Sequence, residues 1–465
     1  MSDPGVRDLA AWASRVARAG AGELPWWVRD RAVLVLLDDL AAAVGAGAED
    51  EVAAVGALAS RRGPVPEATV LAGGGRAERG WAAFANGVAT SWLELDEGYR
   101  RATCHGGLYA VPAAVAECEA EDATLGAALT AIVVGYEVAT RAARAYPAPR
   151  PPVLHPHATL APLGAATAVA AARGYDPRTL ADTVTAAATL GMAGPFSHAT
   201  SGALIRNAWP GMAAWTGITA ADLATAGMAG APNAFSEVFT TALGHEVVPT
   251  ELTAGLPVNA APAGSQRYAI EDGYHKVYAC CQYAHAAVEA ARTLRTGPVP
   301  GLEAGAVAEV CVQTHPLALA LDDADPANVL AAKFSVPHAV AAVLVTGSTD
   351  PDVFSGALLS DPRVAAVRRR VRLAPHPDIG APPHDRPARV TVTTRDGAEH
   401  TAEVRSARGG PDRPLTTGDL LDKWAALTRH RAPSFAVAAA TLLDGTLDPA
   451  RPLREVLATL LETTP

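Results

Sequence analysis

The stretch LGAALTAIVVGYEVATRAARA, residues 125 to 145, decides the fold class, because it predicts a long helix with very little polar surface. Its charged side chains are limited to Glu137, Arg141 and Arg144. A helix that is apolar on nearly every side is not a surface helix. We therefore predict that residues 125 to 145 form a nearly buried helix inside a large helical assembly.

The composition of the whole chain agrees with a helical protein. Of the 465 residues, 49% are hydrophobic and only 18% are charged, and much of the apolar content is alanine. Alanine favours helix because it loses no side-chain entropy there. A chain of this length is too long for one compact core, so we expect two or three domains.

Charge and cysteine content limit the classes of partner and compartment. The net charge of −10 argues against nucleic acid, whose phosphates need a basic protein face. Five cysteines without a zinc-like pair are typical of reduced thiols, so we expect a cytoplasmic protein. The first nine residues lack a signal-like apolar core, and the nearly uncharged stretch 158–172 is too short and too weakly apolar to span a membrane.

The predicted elements divide the chain into three segments. Residues 1–265 are mostly helical, with a proline-rich loop at 146–156 and a helix that begins at Asp176-Pro177. Residues 266–408 form an α+β segment: a strand at 308–313, a hairpin at 389–404 that turns at Asp396-Gly397, and helices at 277–294, 334–345 and 362–371. Residues 409–465 return to helix, with Thr416 and Asp419 as a capping box, and should pack back on the first segment.

Five ordered motifs resemble the MmgE/PrpD superfamily, which includes 2-methylcitrate dehydratase, cis-aconitate decarboxylase and an iminodisuccinate epimerase. They are AAFANG (82–87) with LELDE (93–97) and His105, HAT (157–159), Arg206 with the small residues that follow it, KVYACC (276–281) with His285, and FSVPH (334–338). The resemblance implies a mainly α fold: a large all-helical domain from both termini and a smaller α+β lid domain. It also implies a homodimer with its site between the domains, no metal or organic cofactor, and a small-molecule carboxylate as substrate.

Two histidines in the first segment are candidate site residues. His105 precedes Gly106 and Gly107, which suit a tight turn, and histidine transfers protons near neutral pH. Glu94, Asp96 or Glu97 can orient it, and Glu94 is a candidate for substrate binding. His157 begins a helix whose free N–H groups favour a carboxylate, and Thr159 adds a hydroxyl. A zinc site at His155 and His157 lacks a third ligand in the motif.

The remaining candidates are cationic or basic side chains. Arg206 replaces the lysine usual in the family and can grip a carboxylate with two parallel hydrogen bonds. Lys276 matches the family lysine, and His285 follows it by nine positions. Gln282 stands where the family often has arginine, so one cation is missing. His338 replaces a tyrosine of the decarboxylases, and we predict catalytic roles for His105, His338 and Lys276. For each residue the alternative is a structural or solvent-facing role.

These residues predict a cofactor-independent lyase that acts on a small carboxylate or polycarboxylate. A cationic, histidine-rich cleft would stabilise a carbanion or enolate while water or CO2 is lost. Two alternatives stay open: a two-base epimerase that uses His105 and His338, and a non-catalytic carboxylate-binding homologue.

Overall fold

The computed structural model describes residues 3–73, 75–149, 152–256, 267–444 and 448–462. It divides into two compact units. Unit 1 comprises Met1–Gly194, Asn207–His275 and Leu415–Pro465, and unit 2 comprises Pro195–Arg206 and Lys276–Pro414. The predicted boundary between residues 265 and 266 lies outside the described residues, and the domain limits of the sequence analysis stay predictions.

Unit 1 is built mainly from helices contributed by both ends of the chain. Its α-helices are Pro4–Ala19, Trp26–Ala46, Asp50–Arg62, Arg79–Trp92, Gly106–Ala120, Leu125–Ala145, Pro156–Thr159, Ala161–Ala172, Pro177–Thr189, Ala208–Thr225, Thr417–Thr428, Phe435–Leu443 and Leu453–Leu460, with a π-helix at Ser236–Ala242. The predicted caps are present: the Asp176 carboxylate accepts from two backbone N–H groups, and Thr416 and Asp419 form the capping box.

The Leu125–Ala145 helix is almost completely buried, as predicted. Length and composition would allow it to cross a membrane, but 94% of its apolar window is buried inside the protein. It packs on the Ala161–Ala172 helix, where a Cβ on Gly135 would lie 2.6 Å from the Gly164 carbonyl oxygen. Small residues therefore allow these two backbones to approach closely, which explains the abundance of alanine and glycine.

Two short antiparallel strand pairs interrupt the helices of unit 1, and the sequence analysis did not predict them. Ala68–Val70 pairs with Gly75–Ala77. Glu97–Tyr99 pairs with Gly273–His275, with Glu97 opposite His275. The second pair fixes the acidic segment 94–97 to a distant part of the chain.

Unit 2 contains a four-stranded sheet with helices. Val371–Pro375 lies at one edge of the sheet, parallel to Val307–Thr314. Val307–Thr314 is antiparallel to Ala388–Thr394, which pairs antiparallel with Glu399–Val404 at the other edge. The helices are Ser197–Thr200, His285–Thr296, Pro316–Leu319, Val329–Lys333, Val336–Thr346, Gly356–Leu359 and Pro362–Arg368.

The mainly α class with a smaller α+β part is confirmed, as are the strand at 308–313 and the hairpin at 389–404. The predicted helix 277–294 is wrong at its start, because helical residues begin at Gln282 and the α-helix begins at His285. The predicted helix 362–371 ends at Arg368, and Val371 begins a strand beside Val307–Thr314.

Candidate functional site

His105 is the N-cap residue of the Gly106–Ala120 helix, and its side chain is 18% exposed. The sequence suggested that the two glycines after it make a tight turn, but they begin this helix instead. A Cβ on Gly106 would lie 2.4 Å from the Tyr136 ring, and one on Gly107 would lie 2.6 Å from Asp39 Oδ2. The glycines therefore let the first helical turn pack tightly against side chains beneath it, and this placement fixes His105.

Asp96 is the acidic residue that orients His105. Its Oδ2 lies 2.5 Å from His105 Nδ1, and the Asp96 side chain is only 1% exposed. Because the carboxylate accepts a hydrogen bond from Nδ1–H, the ring proton stays on Nδ1, and the other ring nitrogen, Nε2, can take a proton from a substrate. A histidine paired in this way with a buried carboxylate is a typical general base.

His157 lies beside His105. The two ring centroids are 4.7 Å apart at an angle of 81°, and His157 is 1% exposed. It belongs to the short Pro156–Thr159 helix, as predicted, and the same helix holds Thr159, which is 7% exposed. Two groups that can move protons are therefore neighbours in unit 1.

Tyr109 contacts His157, and the sequence analysis missed it. The Tyr109 hydroxyl lies 3.0 Å from His157 Nδ1. When this hydroxyl donates to Nδ1, the proton of the neutral His157 ring stays on Nε2. The position four residues after His105 on the same helix was the signal available, because residues i and i+4 share a helix face.

His155 acts as a cap rather than as a metal ligand in this arrangement. Its Nδ1 accepts a hydrogen bond from the His157 backbone N–H at 3.2 Å, and its ring centroid lies 4.3 Å from that of His157. Within the described ranges no group of three His, Cys, Asp or Glu side chains is placed to hold a metal ion.

Asp39 and Glu97 form an acidic layer beneath the start of the Gly106–Ala120 helix. Glu97 Oε2 accepts from the Gly107 N–H at 2.9 Å, and Oε1 accepts from the Tyr136 hydroxyl at 2.8 Å. Burial raises the pKa of Glu97 to about 8. Burial, and then the charges of Asp96 and Glu97, hold the pKa of Asp39 well above its usual range. Both groups therefore favour the protonated form.

Glu94 is also buried in this region, at 1% exposure, but its backbone differs from that of its neighbours. Its φ angle is +55°, in the left-handed region that non-glycine residues rarely adopt. Such a conformation persists only where neighbouring contacts hold it. The predicted role of Glu94 in substrate binding stays a prediction.

Unit 2 holds the cations that the sequence singled out. Arg206 is 1% exposed, and its guanidinium carbon lies 5.0 Å above the centre of the Phe334 ring. Lys276 is 1% exposed as well. Lys333, which directly precedes Phe334, is 5% exposed and was missed by the sequence analysis. Cations are rarely buried without a function or an anionic partner.

The rarity of lysine in the sequence could have drawn attention to these buried cations. Of the 38 lysine and arginine residues, only three are lysines, namely Lys276, Lys333 and Lys423. The first two are buried, and the Lys423 side chain is 11% exposed. The chain therefore uses arginine for its surface cations and places lysine, a compact charge with three donors, only at largely buried positions.

Gln282, where the resemblance led us to expect an arginine, has an arginine from another part of unit 2 as its neighbour. Arg386, 8% exposed, donates a hydrogen bond from Nη1 to Gln282 Oε1 and lies over the Tyr283 ring at 5.4 Å. His285 is fully buried, and its Nε2 lies 3.2 Å from the Cys280 carbonyl oxygen. An arginine side chain therefore lies beside Gln282.

His338 has an internal structural role, which does not support the predicted catalytic one. It is fully buried, Nε2 donates to the Val353 carbonyl oxygen at 3.0 Å, and Nδ1 accepts from Arg368 Nη1 at 3.2 Å. Burial, with a further contribution from the charge of Arg368, lowers the pKa of His338 to about 4. A neutral ring whose two nitrogens are both engaged in hydrogen bonds inside unit 2 is poorly placed to exchange a proton with a substrate.

Comparison with known families gives two matches that together cover most of the chain. The MmgE/PrpD N-terminal domain matches residues 7–242, and the MmgE/PrpD C-terminal domain matches residues 278–450. No curated protein gives a match.

Proposed function

Because the chain belongs to the MmgE/PrpD family, whose members are generally lyases and dehydratases, we propose that it is a dehydratase of a small β-hydroxy carboxylate or polycarboxylate. The observation that carries this proposal is the His105–Asp96 pair with His157 beside it. One histidine is set up as a base and its neighbour as an acid, which are the two functions that loss of water needs.

In the proposed reaction, His105 Nε2 takes the proton on the carbon next to a substrate carboxyl group. The electron pair of that C–H bond becomes the new C=C bond as the bond to the β-hydroxyl breaks. Asp96 stabilises the imidazolium that forms, because its buried carboxylate stays close to Nδ1–H.

His157 is proposed to protonate the leaving hydroxyl. The protonated form of His157, whose Nδ1–H then faces the Tyr109 hydroxyl oxygen, delivers its Nε2–H to the departing oxygen, which leaves as water while the ring returns to its neutral form. The step balances: one proton moves to His105, one moves from His157, and no electrons are gained or lost. Water loss therefore requires no redox cofactor.

Arg206, Lys276 and Lys333 are proposed to bind the substrate carboxylates. Arg206 offers two parallel N–H donors, while Lys276 and Lys333 offer point charges. Positive charge next to a carboxyl group also stabilises the enolate-like charge that develops as the proton leaves. Neutral analogues of the substrate should therefore bind weakly.

Epimerisation by His105 and His338 has less support, because both nitrogens of His338 are hydrogen-bonded within unit 2. Decarboxylation needs a proton donor at the carbanion and differs in its product, so an assay separates it from dehydration. Assembly as a homodimer and a cytoplasmic location remain predictions.

The test is incubation of the protein with a panel of di- and tricarboxylic acids, with products identified by mass spectrometry. We expect an unsaturated acid 18 mass units lighter than its substrate. Loss of CO2 or a change of stereochemistry alone would contradict dehydration, and binding without turnover across the panel would favour a non-catalytic homologue. His105→Gln and His157→Gln should each abolish turnover, whereas Asp422→Asn, at an exposed helix position, should not.

A further inference from the structure

Lys423, in the helix Thr417–Thr428 of the C-terminal segment, connects two elements of unit 1 that are far from it in sequence. Its Nζ lies 2.7 Å from Asp38 Oδ1 and donates to the Leu95 carbonyl oxygen at 2.9 Å. Leu95 directly precedes Asp96, the partner of His105. A single ammonium group therefore contacts both the Trp26–Ala46 helix and the segment that carries the carboxylate of the proposed base.

Asp38 holds this ammonium group in place. Its side chain is completely buried, and besides Lys423 it accepts from Trp424 Nε1 at 2.8 Å and faces His275 Nδ1 at 3.0 Å. Although burial raises the pKa of Asp38, the charges of Lys423 and His275 hold it well below its usual range. Asp38 is thus an ionised anchor, and Lys423 is fixed rather than mobile.

The segment around Asp96 is held at successive residues. The Leu95 carbonyl accepts from Lys423, and the Glu97 N–H donates to Asp39 Oδ1 at 2.9 Å. Asp96 lies between these two anchors. The left-handed φ of Glu94, just before them, is a conformation that needs such external contacts to persist.

The rarity of lysine strengthens the argument. A chain with only three lysines keeps one here, although arginine supplies most of its other cations. The position requires one nitrogen to donate simultaneously to a carboxylate and to a carbonyl oxygen in a confined space. A compact ammonium group meets this requirement, and a planar guanidinium meets it less well.

We propose that Lys423 is a positioning residue for the His105–Asp96 pair: the C-terminal segment holds the Asp96 loop through the Leu95 carbonyl and thereby sets the hydrogen bond that makes His105 a base. This inference rests on the proposed function of His105. It assigns to the Thr417–Thr428 helix a part in the reaction beyond packing.

The test compares Lys423→Met with Trp424→Phe in the full-length protein. Both changes remove one hydrogen bond to Asp38, but only the first releases the Leu95 carbonyl. The readouts are kcat, KM and the low-field proton resonance of His105 Nδ1–H, assigned by its disappearance in His105→Gln. We expect Lys423→Met to lower kcat by ~10- to 100-fold with little change in KM, and to shift or broaden that resonance.

Trp424→Phe should leave the resonance in place. Lys423→Arg, which retains the charge, should have part of the activity that Lys423→Met loses. It serves as the test variant if the methionine variant does not fold. The proposal is overturned if Lys423→Met, or Lys423→Arg in its place, keeps the wild-type resonance, or if Lys423→Met changes kcat no more than Trp424→Phe does. Since the resonance reports the His105–Asp96 bond directly, it tests Lys423 even if His105 proves unnecessary for turnover.

Discussion

Asp96→Asn tests the proposed base most specifically, because it keeps the shape of the side chain and removes its charge. In the protein the carboxylate lies 2.5 Å from His105 Nδ1 and is 1% exposed, so solvent screens it very little. A hydrogen bond to a charged group contributes about 1.5 to 3 kcal/mol. At about 1.4 kcal/mol for each tenfold change, its loss lowers the rate ~10- to 150-fold.

A second effect acts in the same direction. An amide can turn its NH2 group towards Nδ1, which moves the ring proton to Nε2 and leaves no lone pair to take the substrate proton. The equivalent change in a Ser-His-Asp triad lowers kcat by ~10⁴-fold for this reason. We therefore expect kcat to fall at least ~100-fold, with KM nearly unchanged because Asp96 does not bind substrate.

The folded state should not suffer from this change. Asp96 is one of the charges that raise the pKa of Asp39, so its neutralisation takes a charge out of a buried acidic region. Steady-state kinetics and thermal unfolding of Asp96→Asn are compared with those of Asp422→Asn, which alters an exposed aspartate. A decrease in kcat of less than ~3-fold in folded protein would refute the assignment of His105–Asp96 as the base.

Three further predictions concern the remaining groups. Asp39 and Glu97 have raised pKa values, so the native state holds protons that the unfolded state loses, and the free energy of unfolding should fall as pH rises from about 4.5 to about 8. In thermal unfolding, Asp39→Asn should flatten this pH dependence and add ~1 to 3 kcal/mol of stability at pH 8. An unchanged slope of stability against pH would contradict this prediction. His338 has a lowered pKa, so the unfolded state takes up a proton first, and the free energy of unfolding should fall by up to ~3 kcal/mol as pH drops from 6.5 to 4. His338→Gln should remove that loss of stability and retain turnover. A variant that folds but is inactive would instead support a catalytic role for His338. Arg206→Ala should raise KM for a carboxylate substrate ~10- to 100-fold and Arg206→Lys less, and an unaltered KM would exclude Arg206 from substrate binding.

Much of the fold was predictable because its signals are local. The apolar Leu125–Ala145 segment, the Asp176 cap and the Asp396-Gly397 turn each determine structure within a few residues. The pairing of Glu97–Tyr99 with Gly273–His275 was not predictable, because three-residue strands have no periodicity and their partners are distant in sequence. The five residues 277–281 also carried an apolar pattern that suits either a helix or a buried loop.

The site was predictable in its residue types but not in its partners. His105 and His157 were identified, and the structure brings them together. Which of three acidic residues orients His105 depends on loop geometry, so sequence alone could not select Asp96. His338 appeared catalytic because its motif position suggested chemistry, whereas its hydrogen bonds to Val353 and Arg368 depend on tertiary packing.

The most direct test of the central claim is deuterium incorporation at the carbon next to the carboxyl group. The product of the panel experiment, or the substrate recovered part-way through turnover, is incubated with enzyme in D2O and analysed by mass spectrometry. We predict that the wild-type protein introduces one deuterium at that carbon and that His105→Gln does not, while His157→Gln still exchanges slowly because the base is intact. Exchange by His105→Gln at the wild-type rate would contradict the account.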